Sequence, residues 1–427
     1  MDSDCLLPVF PVEIFSNVIE SLHNDHALDT LKSCSVVNGW FQTLCQPLLF
    51  STVKIGEAHA RSRGVQELGF YSKPIKAQQF ADTLRRSPSI GVFVRSLKYT
   101  VTPADFGIPH LNEALKQLEK IESLSVGYSY RRDLGQWNPE DYERLSMDWQ
   151  TCPLLPGFLH LFNKPTLVHF RFGDIIHNFP IEHLVHCSNL KALSLDVDMT
   201  SSQVQSTLFC DPIRLEELTC STGGRGGALQ VMRTCQSNGT SVFDLTNLKL
   251  LSTPLLRDQW FDDPFIIQYA FKHAKNLEHL QLSVTSMTSC ENLYGDILTP
   301  KALQAVKVLD VLLLHATISV IDPYLGLCNE LKKMSGKNNV HELKIGVTLQ
   351  ALSGAMESAF SDLEEVVSGT GWPCLKKVRL AIQIPQRGLA ESEHKALLQT
   401  LRTTRFPRLA SSQTIAFECV SHIGRLL

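Results

Sequence analysis

No two cysteines stand in the C-x-x-C spacing that a zinc site or a redox pair uses, although the 427-residue chain holds 12 of them, scattered from Cys5 to Cys419. In a chain of this size that dispersal reads as free thiols in a reducing compartment. An excess of one charge sign is lacking too. The formal net charge is -3, so no global basic field draws in nucleic acid or an anionic membrane. Basic runs stop at pairs such as Arg131-Arg132 and Lys332-Lys333. No apolar run is long enough to cross a bilayer: the most apolar, Val306 to Ile321, is interrupted by Asp310 and His315. The opening residues carry Asp2 and Asp4 and no basic region ahead of an apolar run, unlike a secretory signal. The expectation is a cytoplasmic or nuclear protein that binds neither nucleic acid nor membrane.

Signatures of catalysis are missing as well. There is no G-x-S-x-G elbow and no His-Glu-x-x-His. The glycine-dense stretch Ser221 to Gly227 lacks the lysine and spacing of a phosphate cradle and reads as a flexible loop. His183-x-x-His186-Cys187 and His23-x-x-His26 each place side chains on one helical turn, but no carboxylate or second pair stands at a matching offset. They read as surface or interface histidines. No catalytic residue, metal or cofactor is expected, and the chain is not expected to be an enzyme.

What is present begins with a dense apolar stretch from Phe10 to Ile55. Pro11 suits the first position of a helix, and Ile14, Phe15, Val18, Ile19 and Leu22 follow at helical spacing. Asn24 or Asp25 can cap a second short helix carrying Leu28 and Leu31. A third runs from about Val36 to Cys45 with Val36, Val37, Trp40, Phe41 and Leu44 on its apolar side, and Pro47 stops it. Three such helices have more apolar side chains than they can bury among themselves. Either a partner covers the surplus, or the helices cap the domain that follows.

The words Phe10-Pro11-x-Glu13-Ile14, Val18-Ile19-x-x-Leu22, Leu31-x-x-Cys34-Ser35-Val36-Val37 with Trp40, and Leu49-Phe50-x-x-Val53 resemble the F-box, in the form common in basidiomycete fungi. Phe10 stands where the family usually has Leu, and Gly39 where it often has a basic residue. The resemblance implies a three-helix fold that docks on a Skp-family adaptor and through it on a cullin-based ubiquitin ligase. The residues expected to face the adaptor are Phe10, Pro11, Ile14, Val18, Ile19, Val36 and Trp40. Some apolar residues of this set must instead form the module's own core.

After a linker and connecting helix over 56–89, with Ile75, Phe80 and Leu84 on its apolar side, one spacing keeps returning: apolar-x-x-apolar-x-apolar. It occurs at Val94, Leu97, Tyr99; at Ile121, Leu124, Val126; at Leu167, Phe170, Phe172; at Leu190, Leu193, Leu195; and at Leu215, Leu218, Cys220. It returns at Leu277, Leu280, Leu282; at Leu309, Leu312, Leu314; at Val340, Leu343, Ile345; and at Leu375, Val378, Leu380. A degenerate copy sits at Leu245, Leu248, Leu251, and a further strand around Ile415 to Phe417. Helical patterns precede several copies, as at Phe265 to Ala274 and Glu391 to Thr400. This resembles a divergent leucine-rich-repeat array, in which stacked helix–strand units bury one continuous core. A globular α/β domain is the alternative. The expected fold is therefore α/β: a short all-α three-helix F-box over 1–55, then an irregular leucine-rich-repeat-like α/β solenoid over 90–427.

An insertion near 127–165 holds Tyr128, Tyr130, Arg131, Trp137, Tyr142 and Trp149, residue types that dominate binding hot spots. It reads either as a target-binding loop or as a loop folding its aromatics back onto the repeats. Arg257 to Phe265, with Trp260 and Phe261, is a second candidate of the same kind. Together these readings point to the substrate-recognition adaptor of an SCF-type ubiquitin ligase, holding an unknown target protein, with a repeat scaffold lacking any ligase role as the alternative.

Overall fold

A computed structural model describes residues 12–25, 27–56, 75–129, 146–173, 176–196, 199–200, 211–221, 231–235, 240–256, 265–286, 298, 304–315, 324, 326–348, 355–383 and 391–422. The protein is mixed α/β. It divides into two compact units, Met1–His59 with Glu67–Leu190, and Ala60–Gln66 with Lys191–Leu427.

The first unit opens with three helices, α1 (Val12–Asn24), α2 (Leu28–Ser35) and α3 (Gly39–Leu49). Ile19, Leu31 and Cys45 form their shared core, with Leu22, Leu28, Cys34, Phe41, Leu48 and Leu49 packed around it. Two local expectations are corrected. Ala27 occupies the N-cap of α2 and supplies no side-chain bond, so neither Asn24 nor Asp25 caps it. Asn38 does cap α3, its side-chain oxygen accepting from the Phe41 amide at 2.9 Å. That helix also continues through Pro47 to Leu49. Proline disfavours helix on its N-terminal side, but Leu48 and Leu49 reach the module core only if the turn continues.

Strand β1 (Thr52–Ile55) follows at once and pairs in parallel with β2 (Ser96–Val101), Val53 opposite Leu97 and Ile55 opposite Tyr99. The helical module therefore ends at Leu49, and residues 52–55 already belong to a sheet. Phe50, Val53 and Ile55 repeat the apolar spacing of the later strands, an early copy hidden inside the F-box-like words. The Ile75 amide donates to the Lys54 carbonyl at 2.9 Å and the Ile75 carbonyl accepts from Gly56 at 3.1 Å, which covers part of the exposed strand edge. Gly56 has φ +126°, and a Cβ there would lie 2.7 Å from the Thr100 carbonyl oxygen. Only glycine fits.

Helix α4 (Ala77–Arg86) buries Ala77, Phe80, Ala81 and Leu84. A 3₁₀ segment, Pro88–Phe93, follows, and β2 starts at Ser96. Strands β3 (Ser123–Tyr128) and β4 (His169–Phe172) extend the parallel run, with Leu97, Leu124 and Phe170 in register. Helices Leu111–Lys116 and Leu155–Phe162 lie between successive strands in the chain.

In the second unit β5 (Ala192–Leu195), β6 (Glu217–Cys220), β7 (Leu250–Leu256), β8 (His279–Ser286), β9 (Val308–His315), β10 (Glu342–Thr348), β11 (Lys377–Gln383) and β12 (Ala416–His422) each pair in parallel with the next. Parallel neighbours need a crossover, and helices such as Phe265–His273, Leu327–Met334, Ala355–Ser368 and Glu391–Arg405 lie in those connections.

Three devices recur along both units. The carbonyl before a strand accepts two successive amides of the next one, as Arg95 does from Glu122 and Ser123 and Lys249 does from Glu278 and His279. An asparagine just before the first apolar position donates to a backbone carbonyl of the preceding repeat: Asn189 to Pro165 at 2.8 Å, Asn276 to Thr246 at 3.1 Å and Asn339 to Gln304 at 2.6 Å. At several copies the position after that apolar residue carries a charge that meets its opposite on a neighbouring copy. Arg95 meets Glu122 at 3.2 Å; Glu216 lies between Lys191 at 3.1 Å and Lys249 at 2.7 Å; Lys307 meets Glu278 at 2.6 Å.

This ladder corrects two frames. The copy expected at Leu309, Leu312 and Leu314 sits three residues earlier, at Val306, Leu309 and Val311, all buried. The run from Val308 to Leu314 is apolar at every position but Asp310, so both frames fit by hydropathy; the Lys307–Glu278 pair belongs to the earlier one. The degenerate copy likewise falls at Leu248, Leu251 and Thr253 rather than at Leu245, with Leu218, Leu251 and Leu280 in register.

Candidate protein-interaction surface

The helical module leaves apolar side chains in water. Ile14 is 48% exposed, Val18 51%, Val36 83% and Val37 66%. Ile14 and Val18 are one turn apart on α1 and share a face. Val36 and Val37 lie in the turn before α3, where the Asn38 cap holds the chain extended ahead of the helix. Phe15 on α1 meets Trp40 on α3 edge-on at 5.2 Å and Phe41 at 5.7 Å. In the chain Ile14 adjoins Phe15, and Val36 and Val37 lie four and three residues before Trp40. Full removal of such a side chain from water is worth about 1.5–3 kcal/mol. The surface thus holds unused burial energy that a complementary apolar partner would release.

Of the residues expected to face an adaptor, Ile14, Val18 and Val36 are exposed, and Trp40 is half-buried against Phe15 and Phe41. Ile19 is corrected: at 3% exposure it belongs to the module core with Leu31 and Cys45. Phe10 and Pro11 lie outside the described residues. Val37 was absent from the expected set, although two adjacent β-branched residues ahead of an Asn-Gly helix start are a legible sign of a turn that cannot bury both.

The second expected surface resolves differently. Trp149 is fully buried, within 5.1–5.9 Å of Phe158, Phe162, Phe172 and Phe179. Tyr128 is buried at the end of β3. Both are core residues rather than target contacts, because helix Leu155–Phe162 lies inside the presumed insertion and presents Phe158, Leu161 and Phe162 to the same core. Tyr130, Arg131, Trp137 and Tyr142 lie outside the described residues, as do residues 222–230, Trp260 and Phe261.

A shallow cleft of about 270 Å³ nearby is lined by Tyr128, Met147, Asp148, Thr151, Cys152 and His177 among others. Asp148 spends one oxygen on the Gln150 amide at 3.0 Å. Burial pushes the Cys152 thiol up, so it stays protonated at neutral pH and is a poor nucleophile. Cys187 behaves alike: it is pushed up to about 12 by burial and donates to the Phe162 carbonyl at 3.4 Å, so its place beside His186 is structural. Among the described residues no group of three or more His, Cys, Asp or Glu is placed to hold a metal ion, and no helix is long and apolar enough to cross a membrane.

No protein-family model matches the chain, and no curated protein is significantly similar to it.

Proposed function

We propose that the chain is a substrate-recognition adaptor of an SCF-type ubiquitin ligase, its three helices an F-box that docks on a Skp-family protein and thereby on a cullin. On this reading the strand-rich remainder is a divergent leucine-rich-repeat solenoid that holds the target. The observation that carries it is the exposed apolar set Ile14 and Val18 on α1 and Val36 and Val37 in the turn before α3, in a helical module that already has a closed core of its own. Support also comes from the ordering of parallel strands along the chain within each unit and from the recurring asparagine and carbonyl devices, which are the economy of a stacked repeat. The mechanism is positional: holding a target beside a ligase-bound ubiquitin donor raises the effective concentration of its lysines. The test is co-purification with a Skp-family adaptor. Capture of the unaltered chain with loss in Ile14→Asp/Val36→Asp supports the assignment; equal capture of both, or of neither, sinks it.

One observation favours a second reading, a repeat scaffold without a ligase role. The helices run directly into β1, and the Ser51 carbonyl accepts from Arg95 at 2.8 Å and Ser96 at 2.9 Å, the same device that joins later strands. A terminal cap has that continuity. Removing residues 1–50 separates the two readings: loss of a cap unfolds the strands, whereas loss of an adaptor module leaves them folded.

A further inference from the structure

The parallel run of the second unit ends at β12 with one side unpaired. The Lys376 carbonyl accepts from the Ala416 amide at 2.8 Å. By the alternation of a strand, the amides of Ala416, Glu418 and Val420 turn toward β11, and those of Phe417, Cys419 and Ser421 turn away. Among the described residues no strand pairs with that far side. The carbonyl leading into each strand shows the same break. Those of Glu278, Lys307 and His341 each accept two successive amides of the following strand. Ile415 stands one residue ahead of β12, as Lys376 stands ahead of β11, and no described amide reaches its carbonyl. The core is unfinished there too. Inward-facing Val378 is 2% exposed and Leu380 1%, whereas Phe417 is 8% and Cys419 only half-buried, although Phe417 rests on Phe406 at 5.2 Å. Neither proline nor lysine, the usual guards of an edge, occurs in Ala416–His422. The edge of the first unit, β1, is by contrast covered in part by Ile75.

We infer that β12 is a docking edge for an extended segment of a partner protein, added as one more parallel strand, with apolar residues at alternate positions and Lys or Arg between them. The inference concerns this edge alone and stands whether or not the helices hold an adaptor. The backbone groups of Phe417, Cys419 and Ser421 and the Ile415 carbonyl supply the hydrogen bonds, and the side-chain rows supply the preference. Two inward rows, Leu343–Val378–Phe417 and Ile345–Leu380–Cys419, reach the edge; their next members must be apolar to close the core. The outward row between them runs Lys344, Arg379, Glu418. Glu418 lies 3.0 Å from Lys377 and keeps 46% of its side chain exposed, so a basic neighbour extends that pairing and an acidic one is repelled. A second copy of the chain fits less well. Two β12 strands meeting about a two-fold axis run antiparallel, and Ala416–His422 has no Lys or Arg to set beside Glu418.

The test is fluorescence anisotropy of the full-length chain with a labelled nine-residue peptide in which valines alternate with threonines and a central lysine. One matched probe replaces the lysine by glutamate. A second carries N-methyl groups on the lysine and threonine amides, which face β12 in the expected register, and a third carries them on the valine amides, which face away. The unmodified peptide binds, the second probe fails to bind and the third still binds. The glutamate probe is about fivefold weaker or worse. Cys419→Pro removes one amide from the free side, a change an edge strand tolerates, and weakens binding about tenfold or more while thermal unfolding stays that of the unaltered chain. Should that variant fail to fold, the two methylated probes decide alone. No binding of the unmodified peptide, equal binding of the two methylated probes, glutamate binding as well as lysine, or unchanged affinity in folded Cys419→Pro overturns the inference. So does a dimer, seen by light scattering, that Cys419→Pro dissolves.

Discussion

Two carboxylates in the second unit show how much the surroundings decide. Asp310 lies on the outward side of β9, opposite Gln281 and Lys344. Burial raises its carboxyl above the ordinary range, and Lys344 and Arg379 oppose that rise. A carboxyl raised by folding favours the folded state while protonated, and that contribution is lost as pH rises through the folded value. Asp310→Asn is therefore expected to unfold at a higher temperature than the unaltered chain at about pH 7, the gap closing toward about pH 4; calorimetry across that range checks it. Glu364 is 7% exposed and accepts from the Arg408 and Leu409 amides at 2.7 and 3.2 Å, at the start of helix Pro407–Ala410. Glu364→Ala strands both donors and is expected to lose about 1–3 kcal/mol in urea titration. Glu364→Gln, which keeps an acceptor, loses less.

At the scale of elements, the three opening helices separate side chains that sequence could only group. Ile19→Ala is expected to cost about 2–5 kcal/mol of local stability by opening a cavity between Leu31 and Cys45. Val36→Asp, at an 83% exposed site, stays within about 0.5 kcal/mol. Hydrogen exchange over residues 12–49 distinguishes the two. The strands were legible because the apolar spacing of Leu97 with Tyr99, Leu124 with Val126 or Leu343 with Ile345 is a direct imprint of a one-sided sheet. The frame at Val306 was not, since an unbroken apolar run carries no phase and only the Lys307–Glu278 pair supplies one. Trp149 misled for a related reason. Residue type suggests a binding anchor, and nothing local reveals that Phe158 and Phe172 close over it. β1 was hidden because its Val53 and Ile55 also complete the helical words that precede them.

For the described residues as a whole, apolar side chains left in water coexist with a closed helical core. Within each unit, amide pairs on single carbonyls and cross-strand ion pairs join several neighbouring strands, and the cysteines given for the described residues are free thiols. At the helices Ile14, Val18, Val36 and Val37 are left exposed. On the proposed adaptor reading, such a chain acts by what it holds. The exposed set Ile14, Val18, Val36 and Val37 is the part of that claim closest to a single experiment. Mix the purified chain with a Skp-family adaptor and follow complex formation by size-exclusion chromatography with light scattering. A one-to-one complex is expected for the unaltered chain, and for Ile14→Asp/Val36→Asp a folded protein that elutes alone. An unaltered chain that ignores the adaptor, or a double variant that binds it as well, contradicts the account.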